Sequence, residues 1–348
     1  MYQIGIIGYG GMGSWHAEQL MSMPDFQVAG VYDINPEKIR KAEQKGIRGY
    51  SSLEDILGDG SVRTVILAVP NNFHQELSIR ALRAGKNVIC EKPVALSSGE
   101  LEDVLGTARK TGRLFSVHQN RRWDRDFLTV KKVLEDGTVG RPFSIESRVQ
   151  GSKGIPGDWR CVKEAGGGML LDWGVHLIDQ LMWLVKSPVA EVYAHLLSVK
   201  FPVVDDNFRL MMRFENGLSA LVEVGTCLFI NLPRWYVCGD AGTLQIDDFS
   251  CSGRIMKADT VEMKWEEGIV YTAAGPTRTM APRPRESVRE LPLPHLESDA
   301  RDYYRNFRDA DLGGAELAVK PEEALRVMRV IDAVFESARK GASVSVHI

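Results

Sequence analysis

Asp172, His176 and Asp179 are the ionisable residues of an otherwise apolar stretch, GGGMLLDWGVHLIDQLM at 166–182, and carboxylate and imidazole groups suit proton transfer. On an α-helix at about 100° per residue, His176 lies about 40° from Asp172, and Asp179 lies about 20° to its other side. The three side chains therefore share one stripe. A buried carboxylate costs free energy unless it is paired. The stripe either forms a self-satisfied Asp/His pair in a core or lines a wet pocket.

A second chemical pattern, GYGGMG at 8–13, lies between a strand-like run and a helical one, which is where G-x-G-x-x-G binds a dinucleotide. Its glycines allow a tight turn, close approach of a pyrophosphate and close helix packing, while the helix N-terminus offers free N–H groups. Asp33 closes the second strand about 20 residues later, where a carboxylate accepts hydrogen bonds from the adenosine ribose. The predicted cofactor contacts of the turn are Gly8, Gly10, Gly11, Met12 and Gly13.

The carboxylate of Asp33 favours NAD over NADP, because it repels a 2′-phosphate. Lys38, Arg40 and Lys41 follow closely and weaken this preference, although we expect them to form a solvated helix face. The alternative interpretation of the whole pattern is a glycine-rich turn in which Asp33 caps the next helix.

The order of the predicted elements indicates two domains. Strand-like and helical runs alternate up to about residue 120, which predicts βαβ units and a parallel sheet. Strand-like runs dominate afterwards. The predicted fold is α/β: an N-terminal doubly wound Rossmann domain over 1–120, then an α+β domain over 121–348 with a mainly antiparallel open sheet. A terminal helix at about 321–340 is expected to pack back on the body.

The run NFRLMMRFENGLSALVEVG predicts a hairpin with a three-residue loop at 215–217, which pairs Phe214 with Leu218. Its outer face mixes charged residues with Met211 and Leu221. Because exposed apolar patches of this kind are uncommon in monomers, we expect another subunit to cover this face. The chain is thus predicted to form a homo-oligomer, either a dimer or a tetramer.

The composition is that of an ordinary globular protein, with 26% charged residues and a formal net charge of -3. It gives no electrostatic reason to expect nucleic acid or a membrane as a partner. The chain starts on a strand-like run without a leader, and no stretch reaches 18 uncharged apolar residues, so a cytoplasmic location is expected. The five cysteines form no CxxC pattern, which predicts reduced thiols and no metal site.

The motif Cys90-Glu91-Lys92-Pro93, expected after the fifth strand of the first domain, and the run GGGMLLDWGVHLID some 75 residues later resemble the Gfo/Idh/MocA oxidoreductase family. That family includes glucose-fructose oxidoreductase and inositol dehydrogenases. The likeness spans nearly the whole chain, including VPNNFH at 69–74. It implies that Lys92, Asp172 and His176 form the catalytic constellation, and that the Lys92-Pro93 peptide is cis.

The resemblance also implies further contacts to NAD. Glu91 and Asn71 would lie along the nicotinamide ribose, and His74 near the mouth of the cofactor cleft. Asn120 would lie at the edge of the nicotinamide or the substrate. The implied contacts outside the glycine turn are Asp33, Pro70, Asn71, His74, Glu91, Lys92 and Asn120.

Chemical reasoning leads to the same catalytic roles. Oxidation of a secondary alcohol needs a base for the hydroxyl proton, and histidine has a suitable unperturbed pKa of about 6.5. Lys92, at the carboxyl end of a parallel strand, can hydrogen-bond the reacting oxygen. Asp172 then orients His176 or binds a neighbouring substrate hydroxyl, and Asp179 is expected to be a structural acceptor.

The expected substrate contacts are Asp172 and His176 together with Arg121, Trp159 and Arg160. The indole of Trp159 can stack on a sugar ring, and the guanidinium of Arg160 can bind hydroxyl or anionic groups. The alternatives are plain loop packing for Trp159 and Arg160, and a solvated helix start at 122–125.

The predicted function is NAD-dependent transfer of a hydride from a secondary hydroxyl of a cyclic polyol, sugar or glycoside. One alternative is an enzyme that keeps NAD bound and oxidises a glycoside transiently to assist glycosidic cleavage. A third possibility, from a different class, is a non-catalytic NAD-sensing or sugar-sensing protein. Intact Lys92 and His176 favour the enzymes.

Overall fold

The computed structural model describes residues 1–259, 268–277 and 283–348. Within these ranges the chain forms two large sheets, one of five strands near the N-terminus and one of nine strands further along, together with a small two-stranded sheet. The predicted fold class is confirmed: a parallel α/β sheet is followed by a largely antiparallel one.

The first sheet is parallel throughout, in the order β2-β1-β3-β4-β5. Its strands are β1 (Tyr2–Ile7), β2 (Phe26–Tyr32), β3 (Thr64–Leu67), β4 (Asn87–Cys90) and β5 (Phe115–Val117). The helices that accompany them are α1 (Gly11–Met21), α2 (Pro36–Glu43), α3 (Leu53–Gly58), α4 (His74–Arg83) and α5 (Ser98–Thr111). Every residue of β3, β4 and β5 is buried, as expected for strands covered on both faces.

The strand order indicates at which end of this sheet a ligand would bind. The order reverses between β1 and β3, and open α/β sheets bind ligands beyond the carboxyl ends of the strands at such a point.

One expectation about this sheet is wrong, because Glu91-Lys92-Pro93 follows the fourth strand rather than a fifth. The segment between β2 and β3 forms the helices α2 and α3 and contributes only an isolated bridge at Gly49.

The second sheet has the order β15-β12-β11-β10-β6-β9-β8-β7-β16, and only the pair β6 and β9 is parallel. Its nine strands are β6 (Pro142–Gln150), β7 (Val189–Leu197), β8 (Asn207–Phe214), β9 (Ser219–Gly225), β10 (Trp235–Gly239), β11 (Gly242–Ile246), β12 (Gly253–Ala258), β15 (Val288–Leu291) and β16 (Val344–Ser345). Two further strands, β13 (Val270–Thr272) and β14 (Gly275–Thr277), lie outside this sheet. The small sheet consists of β13 and β14. The remaining helices are α6 (Arg125–Glu135), α7 (Val175–Leu184), α8 (Asp302–Asp311) and α9 (Pro321–Lys340).

The predicted hairpin between β8 and β9 is confirmed. Leu210 pairs with Val222, and the amide of Phe214 donates to the carbonyl of Leu218 at 2.9 Å, which leaves 215–217 as the loop. The register turns the alternate apolar residues of β8 inward. Alternation of polar and apolar residues was therefore enough to define both the loop length and the buried face.

Helix α9 joins the two parts of the molecule. It packs against α5 of the first domain and against α7 and β7 of the second. Two hydrogen bonds hold it: the amide of Ser98 donates to Asp332 at 3.1 Å, and the amide of Ala194 donates to Ser337 at 2.9 Å. The domain boundary near residue 120 stays a prediction, and the two large sheets lie on either side of it.

The outer face of the nine-stranded sheet carries an apolar row. Tyr193, Met211 and Leu221 are register partners on adjacent strands, and Tyr193 and Met211 are each 47% exposed. The next row is ionic, with Arg209 at 3.2 Å from Glu223. An apolar row bordered by ion pairs suits contact with a second copy of the same face, because the charged rows can exchange partners across a twofold axis.

We expect light scattering on dilute protein to find a dimer or tetramer. Met211→Glu should shift the population toward the monomer, since it buries a charge at the contact. Met21→Glu is the matched control, because Met21 is 56% exposed on α1 of the other domain. A monomeric wild-type protein at micromolar concentration would contradict the proposed contact.

Two further observations concern membrane-spanning helices and the cysteines. In the described ranges, no helix has the length and apolar character that a membrane-spanning segment requires. All five cysteines lie within those ranges and are free thiols.

Candidate active site

The glycine turn between β1 and α1 has the shape of a dinucleotide cradle. Gly8 has a φ of 92°, and a Cβ on Gly13 would lie 1.9 Å from the carbonyl oxygen of Gly8. A Cβ on Gly11 would meet nothing within 4 Å, so the turn is open on its outer side. No side chain caps α1, which leaves the N–H groups of its first turn free for an anion. These residues fit a bound pyrophosphate, and Met12 lies in the same turn with 39% exposure.

Asp33 lies beside this cradle and is buried. Its carboxylate accepts hydrogen bonds from the amides of Tyr9 at 2.7 Å and Asn35 at 2.9 Å. Lys38 places its ammonium 3.6 Å from this carboxylate and 3.7 Å from the Cβ position of Gly10. The expectation that Lys38 belongs only to a solvated helix face is therefore incomplete, because its charge lies at the cofactor turn.

The segment after β3 braces the cleft. Pro70 is exposed, whereas Asn71 is buried and donates to the carbonyl of Gly166 at 3.2 Å, which ties the two domains together. His74 has no exposed surface, and its ring nitrogens lie 2.7 Å from the carbonyl of Pro93 and 3.0 Å from that of Val69. His74 therefore lies in the interior, where it contacts the backbone at Val69 and Pro93, and not at the mouth of the cleft. Direct contacts of Pro70, Asn71 and His74 with NAD stay predictions.

Glu91 is the centre of a buried polar network that spacing did not reveal. Its Oε1 lies 2.8 Å from Nε2 of His16 and 2.7 Å from Nδ1 of His118, and the amide of Lys92 donates to Oε2 at 3.2 Å. Burial raises the pKa of Glu91, but the two histidines outweigh burial and hold it well below its usual value. A neutral His16 donates to Glu91 and accepts from the hydroxyl of Tyr304 at 2.6 Å.

Among the described residues, His16, Glu91 and His118 form the group of side chains whose composition suits a metal ion. Two ligands of a tetrahedral zinc ion at about 2.0–2.1 Å lie roughly 3.3 Å apart. The contacts of His16 and His118 with Glu91, at 2.8 and 2.7 Å, are shorter and have the length of hydrogen bonds. The cluster therefore acts as a hydrogen-bonded support for the Glu91-Lys92 segment.

Lys92, the predicted catalytic lysine, contacts Asp172 of the second domain. The Lys92-Pro93 peptide is cis, as the resemblance implied, and Nζ of Lys92 donates to Oδ1 of Asp172 at 2.9 Å and to its carbonyl oxygen at 3.1 Å. Arg160 donates from Nε to Oδ2 of the same carboxylate at 2.9 Å. Burial raises the pKa of Asp172, but Lys92 and Arg160 outweigh burial and hold it below its ordinary value. Asp172 is therefore a carboxylate shared by two cations.

A π-helical turn, Leu170–Gly174, carries Asp172 and precedes α7. Asp205 supports the start of this turn by accepting from the amide of Leu170 at 2.7 Å. Burial raises the pKa of Asp205 to about 7. The π-turn interrupts the regular α-helical hydrogen bonding just before α7.

His176 is buried and has a partner that the sequence did not indicate. Its Nδ1 lies 3.2 Å from Oε1 of Gln119, which follows β5. Of the two roles considered for Asp172, orienting His176 is not observed among the hydrogen bonds of the described residues. Burial, together with the positive charges of Lys92 and Arg121, holds the pKa of His176 well below that of an ordinary histidine. The imidazole is therefore neutral near pH 7 and can accept a proton.

Asp179 is a structural acceptor, as predicted, and its partner is Arg122, which is buried and so departs from the alternative of a solvated helix start at 122–125, whereas Arg125 is exposed. Arg122 is buried and donates to both carboxylate oxygens of Asp179, at 2.7 and 2.6 Å. It also donates to Glu323 of α9 at 2.7 Å. The stripe thus combines two functions, since Asp179 anchors α7 while Asp172 and His176 remain near Lys92.

The remaining expected substrate contacts have different surroundings. Asn120 is half-buried, and Arg121 stacks over Trp173 at 4.0 Å, beside His176. Trp159 is half-buried, and its ring is covered by the guanidinium of Arg160 at 4.6 Å. Trp173 was missed, although it directly follows Asp172 in the sequence. It is the indole that faces the cavity next to Asp172.

That cavity has a volume of about 590 Å³ and includes Arg160, Asp172, Trp173 and Thr226 in its wall. Small-molecule sites typically measure about 300–1,000 Å³. A groove of about 930 Å³ lies at the amino ends of the Rossmann strands, around Arg63. Because such sheets bind ligands at their carboxyl ends, we assign the smaller cavity to the site.

Comparison with known proteins agrees with this geometry. Residues 2–119 match the model of the Gfo/Idh/MocA "oxidoreductase family, NAD-binding Rossmann fold", and residues 127–245 match the C-terminal domain of the same family. The chain belongs to the Gfo/Idh/MocA oxidoreductase family. It is therefore a member of an NAD-binding oxidoreductase family, as the resemblance implied.

Individual relatives cover almost the whole chain. A crystal structure of an NAD-binding protein from Listeria innocua has a TM-score of 0.95 and 46% identity, with 99% of each chain covered. The scyllo-inositol 2-dehydrogenase (NADP(+)) of Bacillus subtilis is 27% identical over 99% of this chain and 96% of its own. The myo-inositol 2-dehydrogenase of Thermotoga maritima is 30% identical over 64% of this chain and 67% of its own. Relatives of this Gfo/Idh/MocA member thus include polyol dehydrogenases.

Proposed function

We propose that the protein is an NAD-dependent dehydrogenase that acts on a secondary hydroxyl of a cyclic polyol, sugar or glycoside. The contact between Lys92 and Asp172 carries this proposal, because it brings an ammonium from the carboxyl end of β4 to the helix that bears His176. Inositol dehydrogenases among the relatives support a cyclic polyol as the substrate class.

His176 is the proposed base. A base must be unprotonated at the working pH, and the lowered pKa of His176 meets that condition. Gln119 accepts from Nδ1, which leaves Nε2 to take the hydroxyl proton. His176 carries its proton on Nδ1 because the amide oxygen of Gln119 can only accept a hydrogen bond.

Lys92 is the proposed hydrogen-bond donor to the reacting oxygen. Its side chain is 15% exposed and its ammonium is held by Asp172, so the ammonium meets the substrate in a fixed position and partly shielded from water. Arg160 holds the other oxygen of Asp172. The carboxylate therefore stays ionised, and it faces the cavity where a neighbouring substrate hydroxyl would bind.

The glycine turn at 8–13 and Asp33 would hold NAD, the first through its free N–H groups and the second through the ribose hydroxyls. When bound, NAD supplies the nicotinamide that accepts the hydride. The Glu91 network keeps Lys92 at the same end of the cleft by accepting from its amide.

Spectroscopic screening tests the activity. Cyclic polyols, pyranoses and glycosides are incubated with the protein and NAD, and reduced nicotinamide is followed by its absorbance. Net accumulation of reduced cofactor supports the dehydrogenase. Cleavage of a glycoside without such accumulation would replace it with transient oxidation, and binding without any conversion would indicate a sensing protein.

We expect calorimetry to show tighter binding of NAD than of NADP, because Asp33 repels a 2′-phosphate. Lys38 acts against this preference, since its ammonium is 3.6 Å from Asp33. Lys38→Ala should therefore weaken NADP binding more than NAD binding. Lys45→Ala is the control, because Lys45 is exposed and paired with Glu18. Equal or tighter NADP binding by the wild-type protein would show that Lys38 overrides Asp33.

A further inference from the structure

The cavity beside Asp172 has an excess of positive charge. The ionisable residues in its wall are Lys153, Arg160 and Asp172. The rest of the wall comes from the ends of β6 and β9, the loops that follow them, and Met169 and Trp173. Both oxygens of Asp172 already accept from cations, one from Lys92 and one from Arg160. The single carboxylate is therefore neutralised before any substrate binds, and the charge of Lys153 is not balanced.

Hydrogen-bond donors in this wall remain available. Arg160 uses Nε for Asp172 and Nη1 for Asp158, while its Nη2 donates to no group in the described ranges. Lys153 is exposed and has no ion-pair partner among the residues that the structure describes. The charged groups with available donors on this side are thus cationic, while Ser152 and Thr226 contribute hydroxyls to the same wall.

A neutral polyol does not need two cations with free donors. Each hydroxyl both donates and accepts, so a site for it commonly offers acceptors as well as donors. A carboxylate or phosphate only accepts, and a guanidinium edge with a nearby ammonium matches it. The effect of Lys92 and Arg121 on His176, whose pKa they lower, shows that the positive field extends to the reacting centre.

We infer that the natural substrate carries an anionic substituent, a carboxylate or a phosphate, which Arg160 and Lys153 hold in this cavity while the ring hydroxyl faces Lys92 and His176. This inference rests on the proposed dehydrogenase activity and specifies its substrate class. Trp173 forms the apolar side of the same cavity, where a sugar ring can stack.

The test compares matched substrates that differ in one group: neutral pyranoses, the corresponding uronates and the corresponding 6-phosphates. We expect kcat/KM for one anionic series to exceed that of the neutral series by about 10- to 100-fold, as for a hydrogen bond to a charged group. Which series is preferred distinguishes a carboxylate from a phosphate. Calorimetric binding of the same compounds to the NAD-loaded protein provides a readout that does not need turnover.

Lys153→Ala should narrow the ratio of anionic to neutral kcat/KM by about tenfold, mainly through a higher KM for the anionic substrate. Lys200→Ala is the matched control, because Lys200 is exposed on a neighbouring loop and does not face the cavity. A neutral pyranose that is oxidised as efficiently as its anionic counterparts, with a ratio unaffected by Lys153→Ala, overturns the inference and leaves the dehydrogenase intact. Selective anion binding without reduced nicotinamide from any compound supports the anionic subsite and counts against the dehydrogenase.

Discussion

His176→Ala should lower turnover by about 10²- to 10⁴-fold while the affinity for NAD stays nearly unchanged. The base acts on the hydroxyl proton in the transition state, whereas the predicted pyrophosphate contacts lie at 8–13 in the other domain. Steady-state kinetics and calorimetry on the same preparation separate the two effects. His295→Ala is the control, because His295 is exposed.

The lowered pKa of His176 also predicts how turnover depends on pH. Burial, Lys92 and Arg121 lower the pKa of His176, so the imidazole is unprotonated at pH 6.5, where half of an ordinary histidine is charged. Activity should therefore persist through pH 6.5 and fall only at a lower pH, as His176 becomes protonated. The neighbouring carboxyl groups of Asp172 and Glu91 also have lowered pKa values, so they too are unprotonated at pH 6.5. A His176→Ala variant with wild-type turnover and an unchanged acidic limb would make His176 a packing residue.

Lys92→Ala should lower kcat by about 10²- to 10³-fold, the usual cost of removing one donor to a developing oxyanion. The fold should survive, because Asp172 keeps its hydrogen bond from Arg160. Lys92→Arg should not restore the rate, since a planar guanidinium does not reproduce the compact ammonium. NAD affinity should fall less than turnover.

Lys110→Ala is the control for the loss of a lysine, because Lys110 is exposed in the last turn of α5. Thermal unfolding of both variants checks that the comparison is made on folded protein. Wild-type kcat in Lys92→Ala, measured on a good substrate, would remove Lys92 from the catalytic constellation.

Local patterns predicted much of the fold. The glycine turn at 8–13 and the hairpin of β8 and β9 depend on near neighbours in the sequence, and both have the expected geometry. The same holds for α1, whose start follows the glycines directly. Such features need only side-chain period and turn chemistry, which the sequence contains in short windows.

The site was harder to predict because its contacts join distant segments. The partner of Asp179 is Arg122, and that of His176 is Gln119, each 57 residues away. No spacing rule connects such pairs. The π-turn at Leu170–Gly174 was also not predicted, since a helical period of 3.6 residues was assumed throughout.

Isotope transfer tests the central claim most directly. The protein is incubated with NAD and with a cyclic polyol or sugar that carries deuterium on the carbon of the reacting hydroxyl, and the nicotinamide is analysed by mass spectrometry. If the protein is a dehydrogenase of secondary alcohols, the reduced nicotinamide gains one deuterium, the product is a ketone, and the transfer is lost in Lys92→Ala and His176→Ala. Conversion of the substrate while the nicotinamide gains no deuterium would contradict the account.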